Sequence, residues 1–182
     1  MTSSVEANGS DNMVSGMITH MFDEISKDVR FQYIMRVEKK STDIPTVLIG
    51  HLLLEYLMNR IIEKKCKSPK KIIEHPRDYP FSVKLQIIYS MELLPDHIFN
   101  NIAKINKIRN GLAHNLDFHE TETDRIIFEP SGKSICPKPR GRGNPRTFYF
   151  KTLVYKTLDQ LREHMTTSLR IPVEAKEFNP FK

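Results

Sequence analysis

The stretch DHIFNNIAKINKIRNGLAH, residues 96–114, decides how the chain is read. Its apolar residues Ile98, Ile102, Ile105, Ile108 and Leu112 recur at intervals of three and four, the period of one face of an α-helix. Pro95-Asp96 supplies a start, while Gly111 and Asn115 predict that the helix frays or ends near residue 114. At about 100° per residue, Arg109 falls in the middle of the apolar stripe. An unpaired guanidinium in such a place is costly, so it demands an anionic partner, a dimer cleft or a ligand. His114, five positions on, points about 140° away from Arg109 on a straight helix. The two side chains meet only if the helix loosens after Gly111, or if a second copy of the chain brings its own motif.

Working outward, the apolar spacing predicts four more helices. One spans about Val14 to Val37, with Met17, Met21, Ile25, Val29 and Ile34 on its inner face. The next runs from Pro45 to about Cys66, preceded by the capping residues Ser41-Thr42-Asp43. It is apolar over a wide arc (Val47, Leu48, Leu52, Leu53, Leu54, Leu57, Ile61, Ile62), as expected of a central helix in a bundle. Cys66 to Pro80, with three prolines, reads as a connection, and Phe81 to Leu94 as a third helix. The last helix covers Thr152 to Leu169, with Val154, Leu158, Leu161 and Met165 in phase.

Between residues 124 and 150 the period changes. Arg125 to Glu129 and Thr147 to Phe150 read as two short strands joined by a long basic loop. Strand alternation would turn Phe148 and Phe150 to one side and leave Tyr149 exposed. The expected architecture is therefore an all-α bundle of about five helices with a small β-hairpin before the last one. Residues 1–12 and 171–182 read as tails, and 13–170 as one domain with the hairpin inserted at 124–150.

Composition excludes several classes. The chain of 182 residues is 39% hydrophobic and 27% charged, proportions that fit a globular domain rather than a disordered chain. No run approaches the roughly 20 apolar residues of a membrane span, and the polar N-terminus does not read as a signal peptide. Cys66 and Cys136 lie far apart without partners at metal-ligand spacing, which predicts free thiols and a cytoplasmic setting. The net charge of +6 is local, because Lys133, Lys138, Arg140, Arg142, Arg146, Lys151 and Lys156 lie in a stretch with no acidic residue. Within it, Lys138, Arg140, Arg142 and Arg146 are candidates for phosphate contacts, and Tyr149 for stacking on a base. The acidic loop His119-Glu120-Thr121-Glu122-Thr123-Asp124 holds ligand-type residues, but contiguous loop residues rarely converge, so no metal is expected. Phosphate-binding glycine loops, dinucleotide fingerprints and Ser/His/Asp hydrolase motifs are absent, so no cofactor is expected. Sequence-specific DNA binding is disfavoured, because no helix-turn-helix pair carries a basic recognition face.

The chemistry open to residues 109–114 is RNA cleavage without metal. That reaction needs a base for the ribose 2′-proton, an acid for the leaving oxygen and a cation for the charged phosphorane. Histidine titrates near neutral pH, so His114 suits the proton transfers. Arg109 can hold a phosphate through two donors, and Asn110 can orient either partner. One such histidine per chain favours a symmetric dimer. A purely structural arrangement fits the same residues: Arg109 pairs with Glu55 of the central helix, and His114 caps its own helix.

Arg109-Asn110-x-x-x-His114 at the end of an amphipathic helix resembles the Arg-polar-x-x-x-His signature of the HEPN superfamily. The run from Phe81 to Leu94, leading into Lys107 to His114, looks more particularly like the mannitol operon repressor branch and its relatives. The helix from Ile44 to Glu63, with Glu55 inside an apolar run, is similar to the helix that precedes it there. The resemblance covers roughly Ile44 to Phe118. It implies a helical, commonly dimeric bundle. In catalytic members it implies a metal-independent endoribonuclease of toxin–antitoxin, defence or RNA-processing systems, with an antitoxin or regulatory protein as partner. Arg109 and His114 would then be the catalytic pair and Asn110 their polar neighbour. The mannitol repressor branch implies instead a regulatory module that uses the bundle for interaction alone.

Overall fold

A computed structural model describes residues 43–114, 125–138 and 145–173. The helix expected over Val14 to Val37 and the acidic loop at 119–124 lie outside these residues. Within them are five helices, α1 (Asp43–Lys65), α2 (Pro69–Ile73), α3 (Phe81–Ser90), α4 (Asp96–His114) and α5 (Pro145–Thr167). A two-stranded antiparallel hairpin, β1 (Ile127–Phe128) and β2 (Ser134–Ile135), stands before α5. The fold is thus mostly helical, with a small hairpin ahead of the last helix, as the sequence predicts. None of the described helices is long and apolar enough to cross a membrane.

The core lies where α1, α4 and α5 meet. Leu53, Leu54, Leu57, Met58, Ile61 and Ile62 of α1 face the α4 stripe Ile98, Ile102, Ile105 and Ile108, with Val154, Leu158, Leu161 and Met165 of α5 completing it. Removing these side chains from water is the main favourable term holding the bundle. Glycine at position 50 lets α1 and α5 approach closely: a Cβ there would lie 2.6 Å from Cγ1 of Val154. The apolar arc of α1 is narrower than its composition suggests, since Leu48 and Leu52 are 45% and 39% exposed.

Helix α3 stops at Ser90, short of the expected Leu94. Its end is closed by Glu92 in the left-handed region (φ 57°), with the amides of Glu92 and Leu93 donating to the carbonyls of Tyr89 and Ile88. That bonding pattern satisfies the last carbonyls of the helix without a glycine.

The hairpin differs from expectation in its second strand. Residues 147–150 are helical, and β1 pairs instead with Ser134–Ile135, in the register Ile127 to Ile135 and Phe128 to Ser134. The reason is phase. Phe150 continues the stripe of Leu153, Val154, Thr157, Leu158 and Leu161, and Pro145 sits at a helix start where its missing N–H costs nothing. A run as short as Thr147-Phe148-Tyr149-Phe150 matches both periods, and burial of Phe150 against the bundle selects the helix. The hairpin turn is correspondingly short, from Glu129 to Lys133, with Gly132 at φ +76° and its amide bonded to Glu129 O at 3.0 Å. Lys138 therefore follows the hairpin rather than lying in its tip.

A buried polar network fixes the hairpin to the bundle. Asn101 of α4 is fully buried; its Oδ1 accepts from Phe128 N–H and its Nδ2 donates to Phe128 O, both at 2.9 Å. Gln160 of α5 joins them, accepting from Asn101 Nδ2 at 3.1 Å and donating to Phe128 O at 3.0 Å. Ile171, placed in the C-terminal tail by the sequence reading, is buried on the core.

Candidate functional site

Helix α4 remains regular through Gly111 to His114, so it does not loosen to bring Arg109 and His114 together. Arg109 is half-buried, and its Nη1 donates to Asn110 Oδ1 at 3.0 Å. The guanidinium thus bends toward the face that carries Asn110. His114 is exposed and four residues beyond Asn110, a spacing that places two side chains side by side on a helix, about 5–6 Å apart at Cβ. Arg109, Asn110 and His114 therefore border one edge of α4 despite the angle between the first and last.

The anionic partner expected for Arg109 is engaged elsewhere. Glu55 accepts from Lys84 Nζ at 2.9 Å, and among the described residues no carboxylate pairs with Arg109. Its buried Nε has no hydrogen-bond partner. Arg125 and Arg162 also have buried Nε atoms without a hydrogen bond. Arg162 nevertheless has Asp159 at 3.9 Å, and Arg125 lies over the Tyr149 ring at 5.0 Å. Arg109 has neither kind of compensation among the described residues.

Lys84 is the reason. It is 2% exposed and shares the buried face of α3 with Phe81, Leu85 and Ile88. A buried ammonium requires a carboxylate, and Glu55 is the one within reach. The sequence signal was present: positions 81, 84, 85 and 88 have one helical phase.

A second residue escaped the sequence reading. His51, one turn before Glu55 on α1, is 7% exposed; its ring stacks on Phe81 with centroids 4.0 Å apart, and its Nε2 lies 3.3 Å from Asn106 Oδ1. Burial pushes the imidazole below its ordinary value. The Asn106 bond opposes this, the Arg109 charge reinforces it, and the Glu55 charge opposes it more weakly. The imidazole therefore senses the field of Arg109. The i, i+4 pair His51 and Glu55 inside an apolar run was the available clue.

The basic and aromatic candidates are more scattered. Lys138 is exposed in the segment after β2, while Arg140 and Arg142 lie outside the described residues, as does the side chain of Arg146. Tyr149 is half-buried on α5 rather than exposed on a strand, with Phe148 at its edge 5.8 Å away. Neither the described histidines nor the cysteines gather with carboxylates into a metal-binding group. Cys66 and Cys136 are free; Cys66 contacts Met91 Sδ at 3.6 Å, and burial pushes its thiol up. No protein-family model, curated protein or solved structure matches the chain.

Proposed function

We propose that this protein is a HEPN-like homodimer that acts on RNA as a metal-independent endoribonuclease. The observation that carries the reading is a half-buried guanidinium with no carboxylate partner among the described residues, bonded to Asn110 and bordering the same helix edge as the exposed His114. A phosphate oxygen would supply the anion that Arg109 does not find among the described residues, through two donors at once. His114 of one protomer would take the 2′-proton as the 2′-oxygen attacks phosphorus. The 5′-oxygen would leave with a proton from His114 of the second copy, giving a 2′,3′-cyclic phosphate. Leu48 and Leu52, exposed on α1 beside His51 and Glu55 in sequence, offer apolar surface for such a second copy. Lys138 and its basic neighbours would add phosphate contacts along the strand.

The competing interaction module, similar to the mannitol operon repressor, called for Arg109 sealed against Glu55. With Glu55 bound to Lys84, that support is missing. The test is cleavage of several unrelated RNAs by purified protein in EDTA, comparing wild type with His114→Ala and Arg109→Gln. Cleavage by the wild type alone is expected. Intact RNA in every lane would remove the enzymatic reading and leave the interaction module.

A further inference from the structure

His51 belongs to a different helix from Arg109, and Asn106 of α4 links them: its Oδ1 lies 3.3 Å from His51 Nε2, and it stands one turn before Arg109. Asn106 precedes Arg109 by three positions and Asn110 by four, so it flanks both on one face of α4. The His51 ring is held on two sides, by Phe81 below and by Asn106 at Nε2. Among the described residues, the charged groups facing it are Arg109 from α4 and Glu55 on its own helix, with Lys84 of α3 bound to that carboxylate. Among the described residues, a histidine, an amide and a guanidinium without a carboxylate leave one positive charge unmatched.

We propose that His51 is a positioning residue of an oxyanion site centred on Arg109, in which His51 and Asn106 support the guanidinium and a phosphate group is the ligand. The site builds on the reading of Arg109 given above but extends it to a second helix, and it does not require cleavage. In the Nε2–H tautomer, His51 donates to Asn106 Oδ1 and so fixes the amide beside Arg109. A bound phosphate would cancel the field of Arg109 at the imidazole, so occupancy and protonation are linked: anion binding raises the proton affinity of His51, and protonation of His51 strengthens anion binding.

The experiment follows the imidazole resonances of the full chain by NMR during pH titration, with His51 assigned from the signal lost in His51→Gln. Three samples are compared: free protein, protein with inorganic phosphate, and protein with a 2′-O-methyl oligonucleotide that cannot be cleaved. An upward move of the His51 midpoint with ligand is expected. Arg109→Gln, with its fold checked by the amide spectrum, should raise the midpoint in the free protein, abolish the ligand response and weaken oligonucleotide binding about tenfold. A response to both ligands identifies a general phosphate site, to the oligonucleotide alone a polymer site, and to phosphate alone a small-molecule site. A midpoint unmoved by either ligand, or moved equally in Arg109→Gln, overturns the proposal. RNA cleavage is scored separately: cleavage with a silent His51 leaves the nuclease standing without this site, and a responsive His51 without cleavage does the reverse.

Discussion

Asn101 and Arg109 lie about two turns apart on α4; the Asn101 side chain is fully buried, and Arg109 is half-buried with its Nε out of solvent. Asn101 is satisfied within the protein: its amide makes three hydrogen bonds, to both backbone groups of Phe128 and to Gln160. Among the described residues, Arg109 bonds only its neighbour Asn110 through Nη1, its buried Nε has no partner, and the expected carboxylate of Glu55 is bound to Lys84. A closed network of the first kind rigidifies and specifies structure. An open one of the second kind is a cost to the free protein that a ligand can relieve. The two halves of one helix therefore differ: the first joins the hairpin to the bundle, and the second is where the proposed phosphate would bind.

The largest effect should come from breaking the closed network. Asn101→Ala strands the N–H of Phe128 and one partner of Gln160, and leaves a cavity in their place. With unsatisfied buried groups at about 1–3 kcal/mol each, a loss of about 3 kcal/mol is expected in urea unfolding. The Phe128 amide should also lose its protection from hydrogen exchange. A loss below about 1 kcal/mol would mean that the hairpin is not anchored by Asn101.

Lys84→Met comes next. Breaking a buried ion pair costs about 3–5 kcal/mol. Glu55 is 30% exposed, so water compensates part of the loss and about 1–3 kcal/mol is expected. Replacing both partners, Lys84→Met with Glu55→Leu, should recover part of that stability. Absence of any recovery in the denaturation midpoint would show that Lys84 acts through packing alone.

These two sites also show what was legible beforehand. The bundle was readable because Ile98, Ile102, Ile105 and Ile108, and likewise Val154, Leu158, Leu161 and Met165, repeat with the helical period over several turns. Residues 147–150 were misread because four residues cannot separate the two periods, and the decision came from Phe150 docking on a distant core. Arg109, Asn110 and His114 were singled out because local spacing carries them. The partner of Glu55 was not, since it depends on which helix α3 presents Lys84 to, a tertiary fact. His51 was missed for the same reason: its neighbours Phe81 and Asn106 are remote in sequence.

The third prediction concerns pH and has a smaller reach. His51 is held below its ordinary value of 6.5, mainly by burial, so the unfolded chain takes up a proton at a higher pH than the folded one. Stability must then fall as the pH drops through 6.5 and level off only below the folded value. His97 is lowered in the same direction, by burial and then by His164, and adds to the slope. His51→Phe, which keeps an aromatic ring against Phe81, should make the decline between pH 7.5 and 5.5 shallower without abolishing it. An unchanged slope would mean that the imidazole does not titrate differently on folding.

The smallest expected effect is the one that separates the two ends of α4. Arg109→Gln removes a guanidinium that forms no ion pair with the described residues, and the glutamine stem retains part of its packing. Its cost in urea unfolding should stay within about 0.5 kcal/mol, and could be a gain, because an unsatisfied buried Nε leaves with it. Oligonucleotide binding should fall about tenfold in the same variant. If instead the substitution destabilised the fold as much as Asn101→Ala does, Arg109 would be a structural residue like Asn101, and α4 would have a single role along its whole length. A stable Arg109→Gln that binds oligonucleotide as tightly as wild type would be equally informative, since it would leave the open network without a ligand of the phosphate class.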